Sequence, residues 1–261
     1  MRYEWSVTRL EIVDVNASNV DEKGLFCAMS KRDSEGYRQK LSWAKARFSE
    51  GLRIKIVEKG GRGFIEYMPA EVCWRPIDAP GYMAIHCLWV VGRAKSSGCG
   101  TSLLFACIEE ARSEGMSGVV AVTARKKTGF CETDFFLKRG FQLIERDPCG
   151  LDLVALKLAN VPDPKFSADW ARKAGRIGDG LCVSYSAQCP FAADLVENLR
   201  NVAAAHSLPV AVRKIEAADQ IRRECPSGYG TFTVTYDHKV ITHLYHRLTP
   251  EKLVQLIDEH S

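Results

Sequence analysis

The sequence predicts an α/β protein of the α+β kind, in which a mixed sheet with flanking helices precedes a small second domain. Three observations support this fold class. The chain has 261 residues, enough for two domains that each bury a core. Apolar runs of strand length alternate along it with segments of helical spacing. Residues 160–180 interrupt this alternation with two prolines and three glycines, which predicts a linker between domains at 1–159 and 181–261.

The elements of the first domain follow from apolar spacing and from glycine positions. Residues 35–49 carry apolar side chains at helical spacing, and Gly60-Gly61 favours a tight hairpin between two strands. Residues 82–91 form the most apolar run of the chain and indicate a buried central strand. In chain order, the predicted elements are a strand at 5–13, helices at 18–29 and 35–49, strands at 52–58, 62–72 and 82–91, a helix at 99–114, a strand at 118–124, a helix at 131–139, and strands at 141–146 and 151–158.

The second domain is predicted to have the order β-α-β-α-β-β-α. Its elements are a strand at 181–185, a helix at 190–206, a strand at 209–215, a helix at 217–224, strands at 231–236 and 239–244, and a helix at 250–259. No internal repeat or low-complexity tract is present, so each domain is a single compact unit.

The composition favours a soluble cytoplasmic protein. The chain lacks a run of about 18 uninterrupted apolar residues, and its first residues lack the apolar core of a signal peptide. Its ten cysteines include no C-x-x-C pair, which favours reduced thiols over a disulfide framework. The net charge of +4 is mild, so we expect neither a nucleic-acid partner nor a membrane partner.

The junction between the strand at 82–91 and the helix at 99–114 is the sharpest chemical signal. Glycines there let backbone N–H groups approach a ligand, and a helix N-terminus adds about half a positive charge that favours an anion. A pyrophosphate would therefore suit this loop, although a tight turn without a ligand is the alternative. The Rossmann pattern lacks its third glycine, and the Walker pattern is absent. The candidate anion-binding residues are Lys95, Ser96, Ser97, Gly98, Cys99, Gly100 and Thr101.

Two motifs resemble those of the GNAT family of N-acetyltransferases. Lys95-x-x-Gly98-x-Gly100, behind an apolar strand, resembles the family signature Q/R-x-x-G-x-G/A, with Lys95 in place of Gln or Arg. Residues 135–141, F-F-L-K-R-G-F, resemble the later family segment F-Y-x-K-x-G-F. The order of the elements also matches, so the resemblance covers residues 1–158. It implies a mixed GNAT sheet and acetyl-CoA as the acyl donor.

The resemblance also implies where the donor lies. Leu88, Trp89 and Val90 would border its pantetheine arm, and residues 96–101 would receive its pyrophosphate. The implied reaction is direct attack of an amine on the thioester. The second motif departs from the family at Phe136, where a tyrosine often protonates the departing thiolate. A phenyl ring cannot donate a proton, so this role is vacant or filled from elsewhere.

Two residues are candidates for the base that takes the amine's proton. Because side chains two apart on a strand share a face, we expect His86 to share one with Leu88 and Val90. Its ordinary pKa near 6.5 suits amine deprotonation. Glu66, on the preceding strand, is the second candidate. The alternatives are a hydrogen-bonded core histidine and a solvated strand carboxylate.

The second domain opens a helix with Gln188-Cys189-Pro190-Phe191-Ala192 directly after a strand. A cysteine at a helix N-terminus has a lowered pKa, and this arrangement resembles thioredoxin or a monothiol glutaredoxin. It departs from them at Ala192, in the place of the second motif cysteine, and at Gly230, in the place of a cis-proline. Together the two domains resemble the YoaP-type acetyltransferases. We hypothesise that Cys189 and Cys225 bind a soft metal or form a reversible disulfide; a structural or substrate-presenting domain is the alternative.

The sequence therefore predicts an N-acetyltransferase that moves an acetyl group from acetyl-CoA to a primary amine. The acceptor is a small-molecule or peptide amine, and a homodimer is among the assemblies that the sequence allows. Two alternatives stay open: a CoA-binding sensor without catalysis, and a thiol-redox or soft-metal module on a GNAT scaffold.

Overall fold

The computed structural model describes residues 10–92, 98–125, 131–205, 208–243 and 248–260. Three residues of the predicted anion-binding loop, Lys95, Ser96 and Ser97, lie outside this part of the chain. Up to Lys157 the described residues form eight strands: β1 Glu11–Val15, β2 Arg53–Lys59, β3 Gly63–Pro69, β4 Ile77–Asp78, β5 Tyr82–Val90, β6 Gly118–Ala124, β7 Gln142–Arg146 and β8 Leu151–Lys157.

All of these strands except β4 form one mixed sheet in the order β1-β2-β3-β5-β6-β8-β7. The neighbours β5 and β6 are parallel, and the other adjacent pairs are antiparallel. This agrees with the predicted mixed sheet. Gly60, with φ of +79°, lies in the predicted hairpin between β2 and β3, where a residue with a side chain would be strained.

Helices cover both faces of this sheet. On one face lie α1 Val20–Lys23 and α2 Glu35–Phe48, and on the other lie α3 Cys99–Ser113 and α4 Thr133–Leu137. The helix α2 begins where the Ser34 hydroxyl accepts the N–H of Tyr37. The predicted helix at 18–29 is shorter than expected because Gly24, at φ +72°, ends α1.

A bulge in β5 places His86 on a different face of the sheet from the one predicted. Glu66 pairs with Cys87 and the next residue of β3 pairs with Ile85, which leaves His86 as the extra residue. The alternation of side chains shifts at that point. His86 lies on the face of the sheet that α2 covers. Leu88 and Val90 pack on the opposite face, in the apolar cluster formed around the buried side of α3, which is called the α3 cluster below. The prediction that the three share a face was therefore wrong.

The same region of β5 leaves its parallel neighbour. Pairing with β6 runs only from Tyr82 to Ile85, although β5 continues to Val90. The pairing of β5 with β3 continues to its end, so the gap opens on the β6 side alone. The two central strands thus diverge and leave a cleft at their C-terminal ends.

The second unit is a four-stranded sheet in the order β11-β10-β12-β13, with β10 and β11 parallel and the other pairs antiparallel. The predicted order β-α-β-α-β-β-α is the observed one. In chain order its elements are β10 Leu181–Ser186, α6 Pro190–Ala205, β11 Val210–Ile215, α7 Ala218–Glu224, β12 Phe232–Tyr236, β13 Lys239–Thr242 and α8 Pro250–Asp258.

The predicted linker at 160–180 contains regular structure. The short strand β9 Lys165–Phe166 pairs with β4, and α5 Trp170–Gly175 follows it. Phe166 is buried and packs edge-on against Trp170 at 5.7 Å between ring centroids. The sequence did not indicate β9 or α5, because both are too short to show a periodic pattern of apolar residues and lie among glycines and prolines. None of the described helices combines the length and apolar character needed to cross a membrane.

Candidate active site

A cavity of about 370 Å³ lies where β5 leaves β6, between the first sheet, the α1–α2 connection and the second unit. Its volume is in the range of small-molecule sites. The first unit contributes residues 26–31, Lys40, Arg62, Phe64, Glu66, Arg75, 86–89, Val91, Val122 and Cys131, and the second unit contributes residues 188–191, Tyr229 and Thr231. The cavity thus joins the predicted donor-binding strand to both base candidates.

Glu66 lies at the floor of this cavity among three polar neighbours. Lys40 Nζ lies 2.5 Å from its Oε2, while His86 Nδ1 at 3.3 Å and Gln188 Nε2 at 3.4 Å donate to its Oε1. Burial raises the pKa of this carboxyl, but the charge of Lys40 and the hydrogen bond from His86 outweigh burial and lower it to about 2. Glu66 is therefore ionised at neutral pH, and its burial contradicts the alternative of a solvated strand carboxylate.

His86 is held by hydrogen bonds at both ring nitrogens. Its Nε2 accepts the backbone N–H of Trp74 at 3.0 Å, so the ring proton is on Nδ1 and is donated to Glu66. Burial lowers the pKa of His86 to about 4, and the positive charge of Arg75 acts in the same direction. An imidazole whose lone pair already accepts a backbone N–H cannot take a proton from an amine. The hydrogen bonds therefore favour a positioning role for His86 beside Glu66 over the predicted role as the base.

Arg75 joins the two units at the floor. Its Nη1 donates to Gln188 Oε1 at 2.6 Å and to Thr231 Oγ1 at 2.7 Å, and its Nη2 donates to the carbonyl of His86 at 2.5 Å. The amide of Gln188 therefore accepts from Arg75 and donates to Glu66. The side chain of Gln188, from the second unit, thus bridges the Arg75 cation and the Glu66 anion of the first unit.

The helices α2 and α6 approach each other closely beside the cavity. The N–H of Gly36 donates to Asp194 Oδ1 at 2.9 Å. A Cβ at position 36 would lie 1.8 Å from the carbonyl oxygen of Pro190, so only glycine fits. A second contact is made by Asp147, whose Oδ2 accepts the N–H of Gly228 at 2.8 Å. These contacts hold the second unit against the first, and the contact of Gly36 lies at the start of α6.

The opposite end of the cleft faces the start of α3. Gly98 is the N-cap, at φ +80°, and the first intrahelical hydrogen bond runs from Ser102 to Gly98. The N–H groups of Cys99, Gly100 and Thr101 precede that bond and have no intrahelical acceptor. They are the backbone donors that an anion at this helix end would use. The side chain of Cys99 is buried, so only its backbone is available here.

Arg139 adds a cation at this end that the sequence reasoning missed. Its Nε and Nη2 donate to Thr101 Oγ1 at 3.0 and 2.6 Å, and its Nη1 donates to the carbonyl of Phe135 at 2.7 Å. The Thr101 hydroxyl, predicted as a donor to an anion, accepts from this guanidinium. The signal was present, since Arg139 lies inside the second motif. Phe136 is fully buried against Phe135 and Phe141 and does not line the cavity.

The predicted pantetheine residues lie along the divergent part of β5. Leu88 and Trp89 line the cavity, and Val90 packs with the α3 cluster. Across the cleft, the thiol of Cys131 donates to the carbonyl of Leu88 at 3.7 Å. Strand divergence therefore exposes Leu88 and Trp89 to the cavity, whereas Val90 does not line it.

The two cysteines that were hypothesised to cooperate have different surroundings. Cys189 lines the cavity. Cys225 is buried in the core, where its thiol donates to the carbonyl of Gly230 at 3.5 Å and burial raises its pKa to about 12. All cysteines of the described residues are free of disulfide bonds, and these residues contain no group of three or more potential metal ligands. The surroundings of Cys225 do not favour a reactive thiol pair.

Four residues of the floor carried little signal in the sequence. Lys40 falls within a helical pattern and Arg75 in an irregular stretch, while Gln188 and Thr231 belong to the second unit. Their hydrogen-bonded arrangement is visible only once the two units are in contact.

The N-acetyltransferase YoaP of Bacillus subtilis (strain 168), described as uncharacterised, is 32% identical over 235 residues, covering 88% of this chain and 92% of that protein. No family model matches the chain. Among solved structures, the PaiA N-acetyltransferase of Thermoplasma acidophilum in complex with coenzyme A is 16% identical with a TM-score of 0.42, covering 57% of this chain and 99% of that one. A putative acetyltransferase of Salmonella typhimurium, YncA with acetyl-CoA, is 17% identical with a TM-score of 0.42, covering 60% of this chain and 98% of that one.

Proposed function

This chain belongs to the YoaP family of GNAT-type N-acetyltransferases, and we propose that it transfers an acetyl group from acetyl-CoA to a primary amine bound beside Glu66. One observation carries the proposal. The cleft between β5 and β6 opens into a cavity whose floor holds an ionised carboxylate, and the end of β5 that borders this cleft lies close to the first turn of α3. Donor and acceptor would meet where the cleft enters the cavity.

The donor would lie along β5 with its pyrophosphate at the start of α3. The N–H groups of Cys99, Gly100 and Thr101 favour an anion there, and Arg139 adds a full positive charge. The end of β5 has no β6 partner beyond Ile85, so it can pair with the extended pantetheine arm. Lys95, Ser96 and Ser97 complete the proposed loop.

Glu66 would act electrostatically. A carboxylate with a pKa of about 2 is a weak base towards an ammonium group, so the amine's proton leaves to water. Glu66 then stabilises the positive charge that develops on nitrogen as it attacks the thioester carbon. The C–S bond breaks, the CoA thiolate departs, and the nitrogen loses its extra proton to water as the amide forms. With Phe136 buried, the departing thiolate leaves without a proton from that position.

The test is the release of CoA thiol from acetyl-CoA in the presence of a panel of amines, amino acids and peptides. Turnover of at least one acceptor is the expected result, together with saturable acetyl-CoA binding measured by calorimetry. Tight acetyl-CoA binding without turnover of any acceptor would instead favour a sensor.

Three further expectations accompany the function. The cytoplasm is the proposed location, and a small-molecule or peptide amine is the proposed acceptor class. We retain 1–159 and 181–261 as the proposed domains, with the thioredoxin-like character of the second and a homodimer as predictions. A fragment of residues 181–261 that unfolds cooperatively by itself would support the boundary.

A further inference from the structure

The charges at the cavity floor do not balance. Lys40 is offset by Glu66, and His86 is neutral because burial lowers its pKa to about 4. Arg75 is buried, lines the cavity and has no carboxylate within salt-bridge distance among the described residues. Its hydrogen-bond acceptors are the neutral oxygens of Trp74, His86, Gln188 and Thr231, and its guanidinium lies over the uncharged ring of Tyr229 at 5.1 Å from the centroid. Buried charges are normally paired with an opposite charge. A buried cation in a ligand cavity that has no anionic partner in the protein is therefore suited to bind an anionic group of a ligand.

Other groups around the cavity add to this positive potential. Lys31, which is exposed, stands at its edge, and the sixteen-residue helix α6 directs its N-terminus towards it through Gln188 and Cys189. A helix N-terminus carries about half a positive charge. A polyamine or another multiply charged cation would be repelled here, because Glu66 is the only acidic residue among the described lining residues.

Positive and negative groups are adjacent on the floor. The Gln188 amide accepts from Arg75 at 2.6 Å and donates to Glu66 at 3.4 Å, so the guanidinium and the carboxylate are separated by about one amide group. A ligand with an amine and a carboxylate on one carbon complements this pair. The walls include an aromatic pair, with Phe26 stacked on Phe64 at 5.4 Å between ring centroids.

We propose that the acceptor is a free amino acid with an apolar side chain, whose carboxylate faces Arg75 and whose amine faces Glu66. This inference rests on the proposed function, since it names the substrate class of the same cavity. Binding in this orientation supplies the missing counter-ion and directs the amine towards the end of the cleft where the thioester would lie. The apolar side chain lies against Phe26 and Phe64.

The test compares amino acids with their decarboxylated analogues. L-Phenylalanine and 2-phenylethylamine, and L-leucine and 3-methylbutylamine, are titrated by calorimetry into the full chain saturated with CoA, with spermidine as the polycation. We expect each amino acid to bind at least about 10-fold more tightly than its amine, because a buried charge left unpaired is costly. Equal or tighter binding of the amines or of spermidine, or no binding of either amino acid, overturns the inference.

Variants connect the preference to the proposed counter-ion. Arg75→Gln should abolish the preference for the amino acid, and Arg75→Lys should restore most of it because the positive charge returns. If Arg75→Gln does not fold, Lys31→Gln at the cavity edge should lower amino-acid affinity by about two-fold, an effect that salt reduces. Lys239→Gln, an exposed change on β13 away from the cavity, is the control and should have no effect. An unchanged preference in a folded Arg75→Gln variant contradicts the assignment.

The two proposals fail in different ways. The affinity ratio tests the amino-acid inference, and thiol release from acetyl-CoA tests the transferase. Acetylation of simple amines in preference to amino acids supports the transferase and overturns the inference. Selective binding of amino acids without acetyl transfer to any amine contradicts the transferase and retains the inferred ligand class.

Discussion

The two ends of the cleft between β5 and β6 are built in different ways. The proposed donor end consists of the end of β5 and the start of α3, which are adjacent in the sequence, and its candidate donors are backbone groups. The proposed acceptor end is the cavity, whose floor consists of side chains from β3, β5 and α2 and from the second unit, connected through Gln188. A local motif is sufficient for the first end, whereas the second exists only when both units are packed together. Variants that affect one end should therefore leave the other largely intact.

The largest expected effect comes from the buried ion pair at the acceptor end. Glu66→Gln leaves the Lys40 ammonium buried without an anion, so the free energy of unfolding should fall by about 3–5 kcal/mol. Urea unfolding measures the change. Acetyl-CoA affinity, measured by calorimetry under conditions where the variant is folded, should stay within about two-fold because the donor end is separate.

The double variant Lys40→Met/Glu66→Gln is the matched control. It should recover most of the lost stability, because no buried charge is left unpaired and the glutamine oxygen can still accept from His86 and Gln188. A loss below about 1 kcal/mol in the single variant, or no recovery in the double variant, would show that the pair is not the buried unit described.

The second prediction compares the two units by their buried histidines. Burial lowers the pKa values of His86 and His243 to about 4, below the ordinary value of 6.5. Between pH 6.5 and 4 the unfolded chain binds protons that the folded chain does not, so stability falls as the pH falls, by about 2–3 kcal/mol for each histidine. The contribution of Glu66 is lost only below this window, as the pH falls from 4.5 through about 2.

The proton uptake of each histidine can be separated by substitution. His86→Gln and His243→Gln should each reduce the slope of the unfolding free energy against pH between 6.5 and 4. The reduction should correspond to the uptake of up to one proton fewer on unfolding. Each variant carries the unchanged histidine of the other unit as its internal reference. A slope identical to that of the parent chain in either variant would exclude that histidine as a buried neutral group.

The elements at the proposed donor end could be predicted from the sequence more fully than the contacts at the proposed acceptor end, for physical reasons. The residues of one loop are sufficient to predict that α3 begins after Gly98. The spacing of apolar residues is sufficient to predict which face of α3 is buried. Arg75 is 113 residues from Gln188 and 156 residues from Thr231, so no local pattern can report their contact. The bulge at His86 was also invisible, because an inserted residue in an apolar strand leaves the composition unchanged.

The third prediction disturbs the packing that completes the acceptor end. Gly36→Ala places a Cβ against the carbonyl of Pro190 and must move α2 away from α6, at a cost of about 1–3 kcal/mol in stability. The KM for the acceptor should rise more than the dissociation constant for acetyl-CoA. Gly175→Ala, in a helix with open space around the new Cβ, is the control and should leave both constants unchanged. Equal effects of the two substitutions would contradict the close approach.

The smallest effect is expected at the donor end, where a charge can be introduced without disturbing the fold. Gly100 lies in the first turn of α3, and a Cβ there would make ordinary contacts of 3.4 Å with Phe135 and Val90. Gly100→Asp adds a negative charge that the helix N-terminus favours but that repels a pyrophosphate, so stability should hold while acetyl-CoA binds about 10-fold more weakly.

Gly100→Asn is the control for this substitution, since it has nearly the same shape and no charge. The difference between the two variants should shrink as the salt concentration rises, because exposed charges are screened. Amino-acid binding to the chain without CoA should be the same in both, since the acceptor end is untouched. Equal acetyl-CoA affinity in the two variants would show that the pyrophosphate lies away from α3. The division of the cleft into a donor end built from one local motif and an acceptor end built from both units would then have to be abandoned.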